Sequence, residues 1–299
     1  MACVVSVRST DANPRPSSRR ARAWRAATLA ALGFLLTAPG AMAAQPAPAF
    51  SSGFESNNFL EWSHVNDLHR QRVVPATESG IPVRVDGRYI ASFEVTDADR
   101  QAGKIHSKLY KHWAVRAPIR AKRDGFGRPV ERLPGGDPSG TYRAHYFLPP
   151  DYRAARRWVN VFQWKEDHGA RAEHQDPQWW LNLGRASSFG GDTDAPVLFV
   201  NNWGNPYRRY RPRTVPAPLG RWFEIRAELQ QRRRIDWYLD GRLFARSRNA
   251  AYPIGRRPRT TGWIFGVGHY GGLGRLWVDD VSYVPRSAAA LRSARRSRR

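Results

Sequence analysis

Alternation is the feature that most restricts this chain. Short segments in which large apolar residues occupy every second position recur between Gly, Pro, Asn and Asp, and no stretch holds a helical period for three turns. The stretch Thr141 to Glu166 shows the pattern most clearly. In Tyr142 to Leu148 the residues Tyr142, Ala144, Tyr146 and Leu148 share one face, and Arg143 and His145 share the other. In Trp158 to Lys165, Phe162 and Trp164 oppose Gln163 and Lys165. If the two strands pair in sequence, Arg143, His145, Gln163 and Lys165 form one polar front over a greasy back.

The rest of the chain keeps this rhythm. Further strands are expected at Gln71 to Val74, Pro82 to Val85, Tyr89 to Thr96, Lys104 to Tyr110, Trp179 to Leu183, Val197 to Trp203, Trp222 to Leu229, Trp263 to Gly268 and Leu276 to Tyr283. Ile235 to Leu239 and Arg242 to Ser247 read as a hairpin through Asp240-Gly241, a type I′ turn signal. Arg116 to Gly140 has no periodicity and reads as a long loop. About a dozen short strands with no internal repeat predict one all-β sandwich or jelly roll.

The first residues stand apart from that fold. Arginines 19, 20, 22 and 25 precede the apolar run Ala26 to Leu36 and the small-x-small triplet Ala41-Met42-Ala43. This predicts a signal peptide over residues 1–44 and an exported protein, periplasmic or extracellular. Ser18-Arg19-Arg20 is only a partial twin-arginine signal. The apolar run is too short for a comfortable membrane span, and no later segment approaches one. The only cysteine, Cys3, falls inside that peptide, so the exported chain is expected to lack disulfides.

Net charge is +24, yet only five of the 49 basic residues are lysine, a skew that GC-rich coding produces without selection. Residues 286–299 read as a disordered basic tail. The body between, residues 45–285, stays strongly positive and should attract polyanions, for an exported protein an acidic polysaccharide. No nucleic-acid motif accompanies the charge, and no oligomerisation signal argues against a monomer. His168 and His174, among acids in EDHGARAEH, are too loosely spaced for a zinc site.

Several motifs in order resemble one family: FESNNFLEW, YRAHYFLPPDY, VNVFQWKE, RWFEIRAEL, WYLDGRLF, GWIFGVGHYGG and LWVDDVSY. They look like the concanavalin A-like jelly-roll polysaccharide lyases, with the heparin lyase I type group nearest and alginate and glucuronan lyases beside it. The resemblance covers about Phe50 to Val284 and implies two antiparallel sheets with a concave polar face. Gln163-Trp164-Lys165 stands where such proteins carry Gln-x-His. Phe265 to Tyr270 matches a Phe-Lys-x-Gly-x-Tyr strand with Gly266 in place of lysine. His106-Ser107-Lys108-Leu109 stands where Arg-Ser/Thr-Glu-Leu occurs.

A uronate lyase must neutralise the C6 carboxylate, remove the C5 proton and protonate the departing O4. The catalytic candidates are therefore His145 or Tyr270 as base or acid, Gln163 as carboxylate clamp, and Lys165 as a cation that lowers its neighbours' pKa. Arg143 is a second candidate carboxylate clamp on the substrate, Asn182 and Asn201 are candidate sugar contacts, and Trp180 and Trp203 candidate stacking platforms. No cofactor is required, although Glu55 with Asp279 or Asp280 joins the first and last strands in a way that suits a structural calcium. The alternative is a non-catalytic carbohydrate-binding jelly roll for anionic glycans. A laminarinase-type hydrolase would want a Glu-x-Asp-x-x-Glu strand, and none occurs.

Overall fold

The computed structural model describes residues 48–66, 70–82, 87–115, 123–154, 158–167, 175–202, 213–231, 233–247 and 261–286. The expected signal peptide, the tail beyond residue 286, Trp203, His168, His174 and the expected strand at residues 83–85 lie outside them. Strands in chain order are β1 (Phe50–Ser52), β2 (His64–Asn66), β3 (Gln71–Pro75), β4 (Tyr89–Val95), β5 (His106–Ala114), β6 (Gly140–Phe147), β7 (Val159–Asp167) and β8 (Gln175–Arg185). They continue with β9 (Pro196–Asn202), β10 (Thr214–Pro216), β11 (Trp222–Gln230), β12 (Arg234–Leu239), β13 (Arg242–Ser247), β14 (Gly262–Tyr270) and β15 (Gly274–Pro285). The one α-helix among the described residues is Asp97–Gln101, opened by a Thr96–Asp99 capping box.

Two antiparallel sheets result. The first runs β13-β12-β11-β6-β15-β4-β3, with β1 also on β15, and the second runs β10-β9-β8-β7-β14-β5-β2. This is a jelly-roll sandwich, as the alternation predicts. The Asp240-Gly241 hairpin forms as expected: both residues have positive φ, 47° and 75°, as a type I′ turn requires.

One expectation fails. Strands β6 and β7 do not pair; they belong to different sheets and present their apolar faces to each other across the core. The Tyr142 ring meets Trp164 edge-on at 5.0 Å and Phe265 at 5.2 Å, and Trp164 lies 5.2 Å from Trp237. The tyrosine hydroxyls of this core are hydrogen-bonded. Tyr146 Oη donates to the Val161 carbonyl at 2.9 Å, and Tyr142 Oη accepts from Trp263 Nε1 at 2.9 Å and donates to the Pro138 carbonyl at 2.8 Å. An alternating strand buries its apolar face equally well beside its neighbour or opposite it, and the eleven-residue connection from Leu148 to Trp158 is long enough to cross between sheets.

The consequence is that the polar faces of β6 and β7 point to opposite sides of the molecule. Replacing Tyr142 by Phe leaves the buried Trp263 indole and Pro138 carbonyl without partners. Urea unfolding of the Tyr142→Phe protein should show a loss of about 1–3 kcal/mol.

Candidate functional site

The outward face of the seven-stranded sheet is built by strand register. Tyr110 on β5 stands opposite Gly266 on β14, Gly266 opposite Gln163 on β7, Gln163 opposite Trp180 on β8, and Trp180 opposite Asn201 on β9. A second row runs His106, Tyr270, Asn160, Asn182. Lys108 lies between the rows on β5, and Lys165 follows Gln163 by one pleat. The three motifs that carry the family resemblance thus fall on three adjoining strands, β5, β14 and β7.

Contacts knit the rows together. Gln163 Nε2 donates to Tyr110 Oη at 3.1 Å, and Lys165 Nζ stands 4.7 Å from the centre of the Tyr110 ring. The His106 and Tyr270 rings meet at 3.9 Å, and Trp158 touches Tyr270 at 5.2 Å and Trp180 at 5.4 Å. Lys108 Nζ donates to Asn160 Oδ1, and Asn160 Nδ2 passes a bond to Asn182 Oδ1 at 3.2 Å. Asn160 Nδ2 also donates to the Phe162 and Leu181 carbonyls at 3.2 Å, and these bonds fix which way the amide faces.

The electrostatics follow from burial without counter-charge. Among the described residues no carboxylate pairs with Lys108 or Lys165. Burial lowers Lys165 to about 8. Burial and then the charge of Lys165 hold Lys108 well below the ordinary lysine range. Desolvation, Lys108 and Lys165 together lower His106 to about 4, which leaves its ring neutral near pH 7. Burial, only partly offset by the Gln163 hydrogen bond, pushes the Tyr110 phenol up.

Gly266 explains one departure from the family pattern. A Cβ built there would lie 2.6 Å from both Cδ1 and Cε1 of Tyr110, so the ring occupies the space a side chain would need. Gly266→Ala should therefore displace Tyr110 or overpack the sheet. A calorimetric scan should show destabilisation of about 1–3 kcal/mol.

The face brings together Gln163, Lys165, Tyr270, Asn182, Asn201 and Trp180 from the sequence expectations, although Gln163, Asn182, Asn201 and Trp180 are buried. His145 and Arg143 are not part of it. They lie on the outer face of the other sheet, where His145 Nδ1 is 3.7 Å from Asp280 Oδ2 and Arg143 Nη1 is 3.8 Å from Glu224 Oε2. The shared front of these two residues with Gln163 and Lys165 is corrected accordingly, since the apolar faces of β6 and β7 meet across the core. Sequence reading missed Tyr110 and Trp158. Tyr110 stands one pleat beyond the matched Lys108, and its parity with His106 and Lys108 was the available signal.

Glu55 and Asp279 do converge, on Gly87: a Cβ there would stand 2.7 Å from Glu55 Oε1 and 3.7 Å from Asp279 Oδ2. Glu55 oxygens accept from the Arg88 and Tyr89 amides, and Asp279 Oδ1 accepts from the Asp280 amide. Calcium takes six to eight oxygens, and the described residues hold no group of three or more His, Cys, Asp or Glu side chains placed for a metal. Glu55 ties the N-terminal segment to the start of β4.

No protein-family model matches the sequence, and no curated protein matches it. Solved structures do. An endo-β-1,4-glucuronan lyase from the fungus Trichoderma reesei is similar at TM-score 0.51 and 14% identity, over 80% of this chain and 96% of that one. A carbohydrate esterase from a Shiga toxin-encoding bacteriophage gives 0.48 and 12%, over 81% and 100%. An alginate lyase from Pseudomonas aeruginosa gives 0.41 and 14%, over 66% and 83%. At such identities the likeness to the glucuronan lyase is one of fold. It places the chain in the jelly-roll class in which polysaccharide lyases occur and does not single out the heparin lyase I type.

Proposed function

We propose that this chain is an exported polysaccharide lyase that cleaves a uronate-containing polysaccharide by β-elimination. The observation that carries the reading is the convergence of Gln163, Lys165 and Tyr270 on neighbouring strands of one cationic face. In this reading Gln163 donates to the C6 carboxylate and makes the C5 proton more acidic. The neutral Lys165 amine takes that proton, the C4–C5 double bond forms, and the electron pair of the C4–O4 bond leaves with O4. Tyr270 gives O4 its proton. Lys165 replaces His145 in the proton-abstracting role because His145 lies on the other sheet, and a lysine held near 8 has the pKa such a base needs.

A second reading, a non-catalytic module for anionic glycans, rests on the same cationic face. Lys108 and Lys165 have no carboxylate partner among the described residues, so a bound polyanion would relieve their repulsion whether or not chemistry follows.

One assay separates them. Exported-form protein is incubated with heparin, alginate, glucuronan and hyaluronan while absorbance near 232 nm reports the unsaturated uronate. The lyase reading expects a rise with at least one polymer, reduced about 10²-fold or more by Lys165→Met. Because the base acts unprotonated, kcat/KM should climb as pH rises through about 8 and level off above it. No rise, together with salt-sensitive retention on the same polymers, would establish the binding module instead. A rate that falls as pH rises through that range would remove Lys165 as the base.

A further inference from the structure

The lyase reading gives Tyr110 no task, although it stands beside Gln163 and Lys165 on the same face. Tyr110 stands at the β5 end of the five-strand row, on the Gln163 side of Lys108, and its ring lies over the bare Gly266. Its position is fixed from three directions. Lys165 Nζ stands 4.7 Å from the ring centre, His64 stacks on it at 6.3 Å with a 24° tilt, and Gln163 Nε2 binds its oxygen at 3.1 Å.

The direction of that last bond matters. Gln163 donates, so the phenol oxygen accepts, and the hydroxyl hydrogen remains available. Among the described residues nothing accepts it. Tyr110 is only 7% exposed, so an uncommitted O–H there is poorly served by water and retains its full capacity for an incoming acceptor. Burial first, and the neighbouring Tyr270 after it, keep the phenol protonated far above neutral pH, which makes it a donor and never a base.

Resting on the proposed β-elimination, we infer that Tyr110 is a catalytic residue, whose hydroxyl donates to the C6 carboxylate of the uronate beside the Gln163 amide. Gln163 and Tyr110 then act as a pair: the amide binds the phenol oxygen with one hydrogen and the substrate with the other, and the phenol adds its own. Both donors come from groups that carry no charge, so they stabilise the enolate-like charge that builds on the carboxylate without placing a further cation beside Lys165, whose amine is unprotonated when it takes the C5 proton. A hydrogen bond to an anionic oxygen is short and strong where water is scarce. The bare Gly266 is what lets the ring reach this place.

The test compares a free uronan with the same polymer methyl-esterified at C6, for wild type and Tyr110→Phe. Phe keeps the ring over Gly266 and removes only the hydroxyl, and thermal unfolding checks that the variant is folded. A carboxylate donor predicts a fall in kcat/KM of about 10²-fold on the acid with KM little changed, and a much smaller fall on the ester, which has no carboxylate charge to neutralise. Affinity is measured in parallel by calorimetry with a uronate hexasaccharide and its methyl ester. If wild type binds the acid and cleaves nothing, the lyase reading fails and the inference is read from affinity alone, where Tyr110→Phe should weaken the acid about tenfold and spare the ester. An equal loss on acid and ester, no loss on either, or no binding of either by wild type would overturn the assignment.

Discussion

The contact between the apolar faces of β6 and β7 is the constraint on which the molecule depends. Tyr142, Tyr146, Phe162, Trp164, Trp237, Trp263 and Phe265 fill one continuous aromatic core, and the Tyr146 hydroxyl and the Trp263 indole make bonds that cross from sheet to sheet. Such a core has two effects. It holds the sheets in a single registration, because moving either sheet would strand a buried donor or acceptor. It also divides the polar residues of neighbouring sequence segments between the two outer surfaces.

That division determines what each surface is suited for. On the eight-stranded sheet, arginines alternate with acids, and Arg143, Arg226, Arg234 and Arg246 all have carboxylate neighbours. Exposed pairs of that kind contribute little to stability and leave little net charge for a ligand. On the seven-stranded sheet Lys111 pairs with Glu131, but Lys108 and Lys165 on its outer face lack such partners among the described residues and are wholly or partly buried. Burying them is costly, and the cost appears as depressed pKa values. Buried cations of this sort, clustered on one face, are a mark of a functional site.

Much of the architecture was legible from sequence, since strand positions follow from period-two alternation and the Asp240-Gly241 turn from its backbone demands. The parity of Phe162 and Trp164 against Gln163 and Lys165 also held: the first two meet Tyr142 and Trp237 in the core, and the second two meet Tyr110 on the outer face. What alternation does not encode is which sheet a strand joins, and so His145 and Arg143 were expected beside Gln163 and lie on the other sheet. Gln163, Lys165 and Tyr270 were legible because their motifs fall on adjoining strands. Tyr110 was not, because its place depends on the space left by Gly266 more than 150 residues away. Trp158 was not either, since it precedes its strand and belongs to no pattern.

The central claim is that ligand and chemistry belong to the face formed by β5, β14 and β7. A crystal structure of the Lys165→Met protein with a bound uronate hexasaccharide tests it most directly. The sugar should lie across those strands, with one carboxylate within hydrogen-bond reach, about 3 Å, of Gln163 and Tyr110. An oligosaccharide seated instead on the opposite sheet, against Arg143 and His145, would contradict the account.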